Sequence, residues 1–210
     1  MIPTVPPLTP LRRHALVWLS RAPQPDLPAD VSAVDRWHAD GYPFVVCRRR
    51  GGSDLLSLGF CLAASGLRPR RIAAQAMPDQ IVRAARPPSL GDVATLQPAA
   101  FARLSDAATC AGLDIRVFGS WMWQTLTGGS HVTTESDLDV LIEVADAAGA
   151  DRAADFLQRE AAACSFKLDG ELSFPGLGEV HWREYLNGEP SILVKSINAV
   201  RLVRREELWK

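Results

Sequence analysis

The sequence predicts an α+β protein of two domains, on three observations. Two hairpins are legible: "YPFVVCRRR" turns through "GGS" into "LLSLGFCLA", and "FKLDGELSF" turns through "PGLG" into "EVHWREYL". Between them a strand-like "DLDVLIEV" precedes a long Ala- and Leu-rich helical stretch, "DAAGADRAADFLQREAAAC". The texture also changes at "IRVFGS", where a short strand runs into Gly-Ser. The expected division is a small N-terminal α/β domain over residues 1–95 and a second domain over 96–210. The second has a mixed sheet and flanking helices.

Each element has a local reason. The first ten residues carry four prolines and predict an irregular lead-in. "HALVWL" reads as a strand. "DVSAVDRWHADG" reads as a helix with an Asp at its start and a Gly stop. The first hairpin spans Tyr42 to Ala63. "RIAAQAMPDQIVRAARPPSL" reads as helical, interrupted and ended by prolines. A helix from about Pro98 to Ala111 closes at Gly112. "IRVFGS" is a strand, and "WMWQTLTG" a helical stretch stopped by Gly128 and Gly129. Asp137–Val144 is a strand and Asp146–Cys164 a helix. The second hairpin follows, then a last strand, "SILVK", and a short tail.

Composition narrows the function classes. Hydrophobic residues make up 47% of the 210, enough for a core. No apolar stretch approaches the roughly 20 residues that span a bilayer, and the N-terminus lacks the order of a secretory signal. A cytoplasmic protein is expected. Cys47, Cys61, Cys110 and Cys164 form no CxxC, and the four histidines are as scattered. Small buried thiols are expected, not a zinc site. The net charge of −1 conceals an asymmetry: residues 1–110 hold 13 Arg, no Lys and 8 acids, and residues 111–210 hold 10 Lys or Arg and 16 acids. The basic and acidic halves suggest different tasks. A pI near 6.4 and no basic face with interleaved aromatics argue against nucleic acid.

The chemistry concentrates between Gly119 and Val144. Residues i and i+2 on a strand share a face, so Asp137 and Asp139 project together, about 7 Å apart at Cα. Leu138, Val140 and Ile142 line the other face. Two like charges this close call for a cation, and hard divalent ions take carboxylate oxygens. Mg²⁺, or Mn²⁺, is therefore expected on Asp137 and Asp139. The complement is Gly119, which permits close backbone approach, and Ser120, at a helix start where N–H groups point outward. Together they make an anion-binding corner.

These residues, "GS…SDLDVLI", resemble the signature of the polymerase-β-like nucleotidyltransferase superfamily. The resemblance implies that Gly119 and Ser120 hold phosphates and that Asp137 and Asp139 bind the metal. It also implies a third carboxylate from a later strand. "FKLDGELSF" offers Asp169 and Glu171, with Asp169 preferred and Glu171 the second choice. The "WQTLTG" stretch and the 16 residues between Ser120 and Asp137 narrow the match. They resemble the malonate decarboxylase holo-acyl-carrier-protein synthase family, or phosphoribosyl-dephospho-CoA transferases. "RRHALVWL", "YPFVVCRRR", the Arg-rich middle around "LGFCLAASGLRPRR" and "ILVKS" extend the likeness over most of the chain.

That likeness implies a definite reaction. The donor is 2'-(5-triphosphoribosyl)-3'-dephospho-CoA, the acceptor a serine of the malonate decarboxylase acyl-carrier subunit, and the by-product pyrophosphate. Residues 1–95 then bind donor, carrier or both, and residues 96–210 are the catalytic domain. Arg48, Arg50, Arg70 and Arg71, with Arg49 and Arg68, suit phosphate contact or an acidic carrier. Lys195 is a candidate phosphate ligand or an ordinary strand-end lysine. Trp123 is expected to pack its helix onto the sheet, and Trp121 to pack or to stack on adenine. The competing readings are a small ATP-dependent nucleotidyltransferase with another acceptor, and a non-catalytic carrier-binding adaptor.

Overall fold

A computed structural model describes residues 11–50, 54–63, 69–95 and 98–209. It has helices and two six-stranded sheets, the α+β class expected. The chain divides into two compact units: residues 1–87 with 129–131, and residues 88–128 with 132–210. The break falls at Pro87–Pro88 and not near residue 95. The reason is a short helix that the sequence reading passed over. Ser89 caps it through a reciprocal pair with Asp92, each side chain accepting from the other's backbone N–H, and its Leu90 and Val93 are buried in the core of the second unit.

In the first unit the strands are β1 (Leu16–Leu19), β2 (Gln24–Pro25), β3 (Phe44–Val46), β4 (Leu56–Leu62), β5 (Arg70–Ala76) and β6 (Ile81–Ala85). The order is β2-β5-β4-β3-β1-β6, and every pairing is antiparallel. Among the described residues the unit is thus an antiparallel sheet with one α-helix, α1 (Val31–Ala39), and not an α/β alternation. The expected helix in "RIAAQAMPDQIVRAA" is instead β5, a 3-10 turn and β6. Alanine suggested a helix, but Ile72, Ala74 and Ala76 are buried at every second position against β4. Strand pairing overrides a weak local propensity here. Trp37 of α1 stacks on Phe60, with ring centroids 4.5 Å apart, and donates its indole N–H to Pro43 O at 2.9 Å.

In the second unit the helices are α2 (Leu90–Ala94), α3 (Pro98–Cys110), α4 (Gly119–Thr127), α5 (Ala147–Ala163) and α6 (Trp182–Leu186). The strands are β7 (Ile115–Phe118), β8 (Leu138–Glu143), β9 (Leu168–Phe174), β10 (Gly178–His181), β11 (Ser191–Lys195) and β12 (Val200–Arg204), in the order β12-β11-β10-β9-β8-β7. The sheet is mixed: β8 and β9 run parallel, joined through α5, and the other pairs are antiparallel. Two elements differ from expectation. "EVHWREYL" is a strand only to His181, whose imidazole caps α6. "SILVK", expected to be the last strand, is followed by an edge strand, β12.

The two sheet faces have opposite chemistry. One carries Val117, Val140, Ile142, Leu168, Leu172, Val180, Ile192 and Val194, all within 1% of full burial, with Phe156 and Leu157 of α5 in the same cluster. By alternation the other carries Asp139, Asp169, Glu171, Glu179, His181 and Lys195. Gly170 shows how tight the apolar face is. A Cβ there would stand 3.0 Å from a Val140 methyl, 3.1 Å from Leu157 and 3.4 Å from Trp182. Gly170→Ala is expected to cost about 1–3 kcal/mol through overpacking. Urea denaturation checks this, and an unchanged midpoint would show that the layer yields.

The cysteines are all free thiols, and Cys61 is buried. Burial pushes the thiols of Cys47, Cys61 and Cys164 up, which lowers their thiolate fraction and reactivity. No described helix is long and apolar enough to cross a membrane.

Candidate active site

The site is built where β7 passes into α4. Phe118 ends β7 in extended conformation opposite Asp139 of β8. Gly119 follows with φ +72°, a left-handed geometry that turns the chain directly into the helix. The missing side chain matters as much as the dihedral. A Cβ on Gly119 would lie inside contact distance of Asp139 Oδ2 and 3.1 Å from its Cγ. The Asp139 carboxylate therefore occupies the space a side chain would fill, against the first turn of α4. Ser120, half-buried, is the second residue of that turn.

Asp139 is in register with Asp169 on the parallel neighbour β9. Adjacent strands lie about 4.8 Å apart, so the two carboxylates are side by side on the polar face. Asp137 lies one residue before β8, and its carboxylate is ion-paired with Lys167. That pairing holds the Lys167 ammonium above its ordinary pKa.

Asp169 and Glu171 share a strand face but not an environment. Asp169 is about a third exposed and its Oδ1 collects three donors: its neighbour Gly170 N at 3.0 Å, His181 Nε2 at 2.6 Å and Arg183 Nη1 at 3.4 Å. Glu171 is buried and ion-paired with Lys195 at 2.9 Å. The preferred third carboxylate thus lies beside Asp139, and the second choice is tied to the lysine expected to hold phosphate. Trp121 and Trp123 are both buried, and Trp121 packs edge-on against Phe101, with centroids 4.8 Å apart. Packing, not adenine stacking, is what Trp121 does.

The arginine candidates lie in the first unit. Arg48 and Arg50 follow the end of β3 and are exposed; Arg50 is ion-paired with Asp26. Arg70 and Arg71 open β5, both exposed, and Arg70 pairs with Asp30 at 2.5 Å. Arg68 lies outside the described residues. Three residues beside the acids were missed: Lys167, His181 and Arg183. Counting register outward from the "PGLG" turn would have found His181, which stands opposite Glu171 on β10.

Among the described residues no three His, Cys, Asp or Glu side chains are gathered into a ready metal-binding group. The donor set nonetheless fits Mg²⁺ in its commoner mode, in which one or two carboxylates hold the ion and substrate phosphates complete the shell. Asp139 and Asp169 supply such a pair, hard oxygens beside a helix N-terminus.

Adjacent carboxylates beside the start of a helix suit an enzyme that transfers a phosphate-bearing group. Two family descriptions match the chain in tandem: the phosphoribosyl-dephospho-CoA transferase MdcG N-terminal domain over residues 12–87 and the MdcG C-terminal domain over 89–206. Among curated relatives, a phosphoribosyl-dephospho-CoA transferase of Xanthomonas euvesicatoria pv. vesicatoria is 36% identical over 205 residues, covering 94% of this chain and 96% of its own. One of Bradyrhizobium diazoefficiens is 37% identical over 210 residues, covering 93% and 91%. No solved structure matches. The chain belongs to the phosphoribosyl-dephospho-CoA transferase family and is a transferase.

Proposed function

We propose that the protein transfers the phosphoribosyl-dephospho-CoA group from 2'-(5-triphosphoribosyl)-3'-dephospho-CoA to a serine of the malonate decarboxylase acyl-carrier subunit. The observation that carries this reading is the seating of the Asp139 carboxylate against Gly119, in register with Asp169. It brings a phosphate-binding corner and paired acids to one point.

The α-phosphate of the donor lies at the first turn of α4, where Gly119 and Ser120 offer backbone N–H groups and a hydroxyl. Asp139 and Asp169 would hold Mg²⁺, which would supply positive charge to the phosphates and the departing pyrophosphate, and Asp137, ion-paired with Lys167, would have to leave that lysine to join them. The serine Oγ forms a bond to the α-phosphorus as the bond from that phosphorus to the pyrophosphate oxygen breaks. The serine proton passes to a carboxylate of the site, and Asp169 Oδ2 receives none of the bonds described above. Glu171 holds Lys195, whose ammonium flanks the polar face. The exposed arginines of the first unit, Arg48, Arg50, Arg70 and Arg71, are candidates for anionic groups of the donor or of the carrier, with Arg50 and Arg70 already paired to Asp26 and Asp30.

The test is intact mass spectrometry of the apo carrier subunit after incubation with the protein, Mg²⁺ and the triphosphoribosyl donor. One added phosphoribosyl-dephospho-CoA is expected. An unmodified carrier, with folded enzyme and intact donor, would overturn the assigned acceptor and donor together. The same incubation with ATP in place of the donor reads the competing nucleotidyl-transfer reaction.

A further inference from the structure

We propose that His181 is a positioning residue that orients Asp169 for the transfer reaction, and that it does so through one ring nitrogen while the other builds the fold. The inference rests on the reading of Asp169 as the third carboxylate of the site. The imidazole has two distinct partners. Its Nδ1 accepts the Arg183 backbone N–H at 3.2 Å, the capping bond at the start of α6. An accepting Nδ1 in the neutral ring places the proton on Nε2, and Nε2 meets Asp169 Oδ1 at 2.6 Å. Arg183, next on the helix, reaches the same Oδ1 at 3.4 Å and the Leu168 carbonyl at 3.4 Å. Its guanidinium lies over the Trp182 ring, 4.3 Å from the centroid, and Trp182 is buried. His181 and Arg183 therefore converge on one oxygen from the start of α6. With Oδ1 engaged by His181, Arg183 and Gly170 N, the rotation of the carboxylate is fixed and Oδ2 is directed by default.

The division of labour between the ring nitrogens makes the two roles separable by substitution. Asn at this position reproduces the short acceptor of Nδ1 and is a favoured cap, but it is too short to reach Asp169. Gln places an amide N–H near the position of Nε2 and loses the cap. His181→Asn is expected to melt like the wild type while kcat falls about 10–100-fold with KM little changed, the range typical of losing a carboxylate's or ligand's outer partner. His181→Gln is expected to melt lower and to recover kcat to within a few-fold. A merely structural histidine predicts the reverse ranking. A second readout needs no turnover: Mn²⁺ affinity without donor, followed by electron paramagnetic resonance, is expected to fall about tenfold in His181→Asn and to return in His181→Gln.

The control is Asp169→Asn. If it transfers and binds Mn²⁺ like the wild type, Asp169 is not a site carboxylate, and both the reading and the inference fall. If Asp169→Asn is inactive but His181→Asn turns over normally, the site stands and the positioning role alone is overturned. His181→Gln as slow as His181→Asn would also overturn it.

Discussion

Asp139→Asn is expected to lower transfer on the order of 10³-fold or more while the protein stays folded, with stability within about 1 kcal/mol of the wild type. The argument is electrostatic. Asp139 stands in register with Asp169 on the neighbouring parallel strand, so the fold places two carboxylates side by side on a polar face. Like charges directly opposite destabilise a sheet by about 0.2–1 kcal/mol, and neutralising one removes that cost. A structural acid would behave otherwise, its loss leaving partners unsatisfied and the melting point lowered. A pair of hard oxygens so placed suits positive charge and phosphate arriving with the substrates. Carrier modification by mass spectrometry and thermal melting, run on the same preparation, separate the cases. Loss of activity accompanied by loss of fold would show that Asp139 holds the sheet together instead.

Gly119→Ala is expected to be nearly as damaging, for steric reasons. Alanine at φ +72° costs about 1–2 kcal/mol from the backbone alone. Its methyl group would also enter the space of the Asp139 carboxylate. The helix start or the carboxylate must shift, and misplacement by about 1 Å can cost 10²-fold in rate. The expected result is a stability loss of about 1–3 kcal/mol together with at least a 10²-fold fall in transfer. A double-mutant cycle isolates the contact. In an Asp139→Ala background the clash is gone, so adding Gly119→Ala should cost only the backbone part. Equal costs in both backgrounds would mean that Gly119 is needed for its turn and not for the space it leaves.

Much of the site was legible because it is local. Gly119 and Ser120 are adjacent, Asp137 and Asp139 are two residues apart on a strand with an apolar opposite face, and such short-range patterns survive in the sequence. The family resemblance added the need for a third acid, and two candidates stood on one strand face. What separated Asp169 from Glu171 was not local. It depended on β9 running parallel to β8 in the register that sets Asp139 beside Asp169, and on Lys195, 24 residues away, engaging Glu171. His181 was missed for the same reason: its partner is 12 residues away across a hairpin, and "EVHWREYL" reads as an uninterrupted strand until its helix is seen. The error in "RIAAQAMPDQIVRAA" is the converse case, where local alanine propensity was outvoted by pairing with β4.

The sequence by itself determined the α+β class and the transferase family, and it singled out Gly119, Ser120, Asp137 and Asp139 as site candidates, because backbone geometry, i to i+2 spacing and motif order are properties of short segments. The tertiary structure alone decided which acid stands in register with Asp139, what that acid is bonded to, where the two units divide and which basic side chains are already held by acids. Those depend on strand register and on contacts between distant segments, where the free energy of packing outweighs the few tenths of a kcal/mol, or about 1 at most, that local preference contributes per residue.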